Sequence, residues 1–135
     1  MPLSPQHAMI HLMVVAASSD NRISPDEIER IDALIGQWPV FDGFDRDDLP
    51  KVANECVDRI NGGEDIETVL DNAVKAIPPR LHDTAYALAV EVAAVDLTLE
   101  QEELRLLEMI RDRLELDRLV TAAIEAAARA RYRRA

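Results

Sequence analysis

Apolar residues recur along this chain at alternating spacings of three and four, and nowhere alternate with period two for long enough to make a strand. Leu49, Val52, Ala53, Cys56, Val57 and Ile60 form one such stripe; Ile66, Val69, Leu70, Ala73, Val74 and Ile77 form a second. Together with their punctuation, the stripes predict seven helices. Ser4-Pro5 opens the first, with Ser as N-cap and Pro at the first helical position, and it runs to about Ser19. Ser24-Pro25-Asp26-Glu27 opens the second, Glu27 standing where the reciprocal partner of a capping box belongs. That helix carries Ile28, Ile31, Leu34 and Ile35 on one face, and a loop follows around Pro39 and Gly43. Gly62-Gly63 stops the third helix and Pro78-Pro79 the fourth. The fifth runs from about Arg80 to Val95, the sixth from about Leu99 to Leu114, and the seventh from about Asp117 into a terminal run of arginines. The expected fold is all-α, a single domain over residues 1–135.

Met9 to Ala17 is apolar and precedes small residues, as a secretory leader does, yet no Lys or Arg stands before Arg22. The run is also too short to cross a bilayer. It reads as a core helix, with no transmembrane segment, and places the protein in the cytoplasm.

An internal repeat shapes the rest of the reading. Val15-Ala16-Ala17-Ser18-Ser19-Asp20 aligns with Glu91-Val92-Ala93-Ala94-Val95-Asp96 at an offset of 76 residues. At that same offset Ile23 falls on Leu99, Asp26-Glu27 on Glu102-Glu103, Ile28 on Leu104, Ile31 on Leu107 and Leu34 on Ile110. A constant offset without a gap carries more weight than any single match. The first two helices are therefore expected to repeat as the fifth and sixth, a duplicated hairpin with copies at about 7–35 and 83–111.

Composition narrows the class. A chain of 135 residues, 48% apolar, can bury a core without disulfides or metal staples. Four glycines leave little turn chemistry for a sheet. The net charge is −11, and all 26 acidic residues precede Ala126, while Arg129, Arg131, Arg133 and Arg134 close the chain. So acidic a body repels phosphates, which argues against nucleic-acid binding and favours cations or a basic protein partner. The arginine tail complements the last helix dipole; contact with a membrane surface of anionic lipid, or with an acidic partner, is the other use open to it. Cys56 is the sole cysteine and sits on an apolar stripe, as a buried structural thiol.

Each repeat carries the same acidic pair. Asp20 and Asp96 stand where the first and fifth helices are expected to end, beside free carbonyls and against the negative end of the dipole. Glu27 and Glu103 follow seven residues later, in the first turn of the next helix. A short loop between them makes an oxygen-rich cluster suited to calcium or magnesium. Capping and turn formation explain Glu27 and Asp20-Asn21 without metal, and the loops fail the EF-hand pattern, since Arg22 occupies the third position.

Ala16-Ala17-Ser18-Ser19-Asp20-Asn21-Arg22-Ile23 with Glu27 resembles the A-x-A-D-G-x-I…E motif of TerB-like domains, named for tellurite-resistance proteins. Val92-Ala93-Ala94-Val95-Asp96-Leu97-Thr98-Leu99 with Glu103 resembles that family's second motif. The resemblance spans essentially the whole chain. It implies an all-helical, TerB-like bundle linked to tellurite and other chemical stress, with metal held by acidic positions, here Asp20, Glu27, Asp96 and Glu103. Two positions depart from the pattern. Asn21 replaces a Gly and can adopt the left-handed conformation, whereas Leu97 replaces the second Gly and adopts it poorly, which weakens the second loop.

Other candidates are weaker. His7 and His11 would share a helix face as a transition-metal pair, but an ordinary half-buried face explains them. Asp83 beside His82 reads as a helix cap. Gly62-Gly63-Glu64-Asp65 resembles the start of a cyclic-dinucleotide synthase motif, but two helices flank it where a hairpin is required. Trp38, Phe41 and Phe44 read as the anchor of a long loop. No nucleophile constellation or phosphate loop is present, so no enzyme is expected. The leading expectation is a stress-response module binding a divalent cation at its paired loops. The alternative is a metal-free helical adaptor whose acidic surface takes a basic partner.

Overall fold

Ser24 begins the clearest helix of the chain. Its hydroxyl accepts from the Glu27 amide at 3.2 Å while the Glu27 carboxylate accepts from the Ser24 amide at 3.0 Å, closing the capping box in both directions. In the computed structural model, which describes residues 3–17, 23–94 and 101–135 (side chains of 94 and 101–104 aside), seven α-helices and no strand are found among the described residues. They are α1 (Pro5–Ala17), α2 (Pro25–Gln37), α3 (Leu49–Asn61), α4 (Ile66–Ala76), α5 (His82–Ala94), α6 (Gln101–Leu114) and α7 (Arg118–Arg131). Ser4, Asp65 and Asp117 open α1, α4 and α7 by accepting amides of the first turn at 3.1, 2.8 and 2.7 Å. The all-α class read from the periodicity is the observed one.

Three short 3-10 turns, Pro39–Phe41, Arg46–Asp48 and Pro79–Leu81, were not foreseen, and the last delays α5 from Arg80 to His82. Their three-residue runs are too short to show a period. Gly63 carries φ 103°, the left-handed turn that ends α3. Across that turn the Arg59 guanidinium grips Glu64 through two bonds of 2.7 and 2.8 Å. The expected extensions of α1 to Ser19, of α5 to Val95 and of α6 back to Leu99 fall outside the described residues.

Two helices make the centre. Every residue of α1 from Ala8 to Ala16 is buried, and α5 buries Ala85, Tyr86, Leu88, Ala89, Val90, Val92 and Ala93. A helix apolar on all sides belongs inside, and α1 packs against α5, α4 and α3 while α5 packs against α1, α7 and α6. Amphipathic α2, α3, α4 and α6 cover them with one face each, through Ile31, Ile35, Val52, Cys56, Val69, Leu70, Leu107 and Ile110. Phe41 is buried, and Phe44 packs edge-on to both Phe41 and His7, which seats the 38–48 loop on the core.

Helix boundaries keep the sequence offset. α2 begins at Pro25 and α6 at Gln101, and α1 begins within one residue of the position equivalent to the start of α5. Equivalent side chains also do equivalent work. The Gln6 amide donates to the carbonyls of Val40 and Asp42 beyond α2, at 3.1 and 3.3 Å. His82, 76 residues on, places its ring nitrogens 3.1 Å from the Leu114 carbonyl at the end of α6 and 3.0 Å from that of Ile77. In each hairpin, then, the start of the first helix is tied to the end of the second, and the two helices run antiparallel.

Candidate functional site

The hairpins meet at one end of the bundle. Arg30, on the second turn of α2, donates to the Val92 carbonyl on the last turn of α5 at 3.4 Å. The start of α2 and the end of α5 therefore adjoin. Glu27 stands three residues before Arg30 on the same face, where neighbours on a helix lie roughly 5–6 Å apart. Negative helix C-termini and positive helix N-termini are gathered there, the electrostatic setting in which both carboxylates and cations find partners.

Of the four acidic positions expected to hold metal, only the Glu27 side chain is described. One of its oxygens closes the capping box, while Oε2 is buried without a hydrogen-bond partner among the described residues. A carboxylate oxygen withdrawn from water and left bare costs stability unless a donor or a cation completes it. Glu103 falls in the first turn of α6, its side chain undescribed, and Asp20, Asp96, Asn21 and Leu97 lie outside the described residues. Among the described residues no three His, Cys, Asp or Glu side chains are grouped as a metal site would require. Glu27 Oε2, without a partner among the described residues, is the feature that fits a hard cation.

A second buried carboxylate at this end escaped the sequence reading. Glu91 on α5 is 5% exposed, and α7 neutralises it. Tyr132 donates its hydroxyl to Glu91 Oε2 at 2.5 Å, and the Arg131 guanidinium pairs with Oε1. A signal was available, since Glu91 is the one charged residue between Thr84 and Asp96 and replaces the Val15 of the first copy. A mirrored pair lies nearer the helix starts, where Tyr86 of α5 donates to Glu125 of α7 at 2.6 Å. The two pairs fix α7 alongside α5 in the same direction, with its arginine end at the Glu27 end of the bundle. Arg131 is thus a partner of a buried acid as well as part of a basic tail.

The remaining candidates resolve into packing. His11 is buried in α1, and burial, with the nearby Arg59 and His7 charges, pushes its pKa down to about 4 against an opposing hydrogen bond with the Val52 backbone. Cys56 lies against the His11 carbonyl, its Sγ 3.9 Å away, and burial pushes the thiol up to about 12, which makes it inert. At the opposite end of the molecule, Trp38, Asp83, Thr84, Ala87, Val120, Ala123 and Ile124 line a shallow groove. Leu119 beside it is 81% exposed. Among the described residues no helix is long and apolar enough to cross a membrane.

Fold and site together define an all-helical bundle in which two antiparallel helix pairs adjoin, with the Glu27 and Glu91 carboxylates at the end where they meet. The sequence model of the family described as tellurite resistance protein TerB matches residues 6–130, and the chain belongs to that family. No curated protein and no solved structure matches the chain.

Proposed function

We propose that this protein is a non-enzymatic module of the tellurite and chemical-stress response, working in the cytoplasm, that binds a divalent cation at the end where its hairpins meet. Asp20 and Glu27 of the first copy and Asp96 and Glu103 of the second are the ligands of this reading, and calcium or magnesium the cation. The single observation that supports it is Glu27 Oε2, buried and without a hydrogen-bond partner among the described residues, on the residue that both the loop pattern and the family motif single out. An all-oxygen donor set suits hard cations and offers no discrimination in favour of softer metals. Family membership supports the stress-response setting.

Titration calorimetry with calcium and with magnesium tests the reading. Wild type should bind, and the Asp20→Asn/Glu27→Gln variant should not. Gln at position 27 keeps the capping box, so a loss of binding in that variant is not a loss of the helix start. Equal heats from both proteins would contradict the proposal.

A metal-free adaptor is the second reading, and the groove beside exposed Leu119 favours it. On that reading a protein partner with basic residues meets the acidic surface and buries Leu119. Indifference of both proteins to divalent cations, with a partner whose binding is lost in Leu119→Asp, would put this reading first.

A further inference from the structure

We propose that the outward face of α7 is the contact surface for a second copy of this chain, packed antiparallel across a two-fold axis. The proposal does not depend on the cation reading, and it gives Leu119 to a second copy instead of the basic partner of the adaptor reading. On a surface helix the side turned to water is ordinarily polar. α3 and α4 follow that rule, with Lys51, Asn54, Glu55 and Asp58 exposed on one and Glu67, Thr68, Asp71, Asn72 and Lys75 on the other. α7 does not. It turns Thr121 and Ala128 inward, and its opposite side carries Leu119, Ala122, Ala123, Ala126, Ala127 and Ala130, all exposed. Leu119, at one end of that face, is 81% exposed. Toward α5 the face continues into the shallow groove of Trp38, Val120 and Ile124, so the apolar surface is wider than one helix.

Charge identifies the occupant. Residues 118–135 carry Arg118, Arg129, Arg131, Arg133 and Arg134 against Glu125 alone, a basic strip on a chain of net charge −11. A second acidic copy meets less repulsion there than on the rest of the body. Charge also fixes the direction. Exposed Asp112, Glu115 and Asp117 stand at the start of α7 beside Arg118, while Arg111 is turned to Glu125. Parallel copies would set arginine ends against arginine ends. Antiparallel copies set each arginine end over the other copy's acids, and the two-fold axis makes that contact twice. With the faces fully overlapped, Leu119 of each copy lies level with Ala130 of the other, and Ala123 with Ala126. Alanines along the seam let the helix axes approach to about 8 Å. A membrane fits this face less well, because interfacial helices anchor through Trp, Phe and Leu, and α7 offers a single Leu among alanines.

Sedimentation equilibrium of the full chain in the high micromolar range tests the proposal, and wild type should sediment at twice the mass of one chain. Ala126→Glu leaves an unpaired carboxylate in the seam from each copy and should weaken association at least about a hundredfold. Position 126 is exposed in the single chain, so the helical circular dichroism of that variant should match wild type. Cross-linking reads the direction. Leu119→Cys and Ala130→Cys chains, mixed and oxidised, should join to each other, and neither should join to itself; Cys56 is buried and does not compete. A wild type that stays monomeric overturns the proposal, as does a dimer that Ala126→Glu leaves intact. Mixed cysteine chains that fail to join, or Leu119→Cys chains that join one another, overturn the antiparallel arrangement and the proposal with it. A monomer that binds anionic vesicles through Leu119 would give the face to a membrane and equally overturn it.

Discussion

His11 sits buried inside the molecule, beside the Val52 backbone of α3. Its pKa in the folded chain is about 4, chiefly from burial, against 6.5 when unfolded. The unfolded chain therefore takes the proton first as pH falls. Stability should be intact above about pH 6.5 and should be lost progressively toward pH 4, by about 3 kcal/mol at most. His11→Leu removes the titration, so urea midpoints at pH 7 and pH 5 should lie closer together than in wild type. An unchanged gap between the two midpoints would show that His11 is not the group responsible. The pairing of His7 with His11 on one face was legible in the sequence, but the depth of His11 was not. That depth depends on α3, which arrives some forty residues later in the chain. Glu27 followed the same course, with its cap legible from Ser24-Pro25-Asp26-Glu27 and its bare oxygen visible only in the packed bundle.

The helices themselves were written plainly where apolar spacing was regular and where Ser, Asp, Gly or Pro marked an end. α3 and α4 began and ended where their stripes and the Gly62-Gly63 and Pro78-Pro79 pairs implied. The docking of α7 was not legible, because it depends on two Tyr–Glu pairs separated by about forty residues. Tyr86→Phe should detach one of them at a cost of about 1 kcal/mol, seen as a lower denaturation midpoint. The junction of α6 and α7 carries a different kind of cost. Glu115 holds φ 52°, a left-handed conformation that side chains with a Cβ adopt reluctantly. Glu115→Gly should therefore stabilise the protein by about 0.5–1 kcal/mol, in contrast to most glycine substitutions. A destabilised variant would mean that the Glu115 carboxylate makes a contribution larger than the strain.

For the molecule as a whole, the reading with most consequence is the 76-residue repeat, which expects a duplicated hairpin. The constant offset of 76 residues was legible, whereas the way the two helix pairs face each other was not, since it rests on the packing of α1 against α5 and on the Arg30–Val92 contact. Residues 7–35 should superpose on 83–111 in a crystal structure grown with calcium, with Asp20 over Asp96 and Glu27 over Glu103. The copies should differ in strength. Leu97 stands where a permissive residue is expected, so Asp20→Asn should remove more calcium-dependent stabilisation than Asp96→Asn, and equal losses would count against that asymmetry.

The melting midpoint with and without calcium tests the cation-binding claim most directly. A ligand at about 100 times its dissociation constant adds roughly 2.7 kcal/mol to the folded state. For a chain of this length that corresponds to a rise of about 8–13 °C, reversed by a chelator. Screening of the −11 net charge also stabilises the fold, and Asp20→Asn/Glu27→Gln separates the two effects because it leaves most of that charge in place. The account predicts the full rise in wild type and little in the double variant. Equal shifts in the two proteins would mean screening alone, and would contradict a cation site where the hairpins meet.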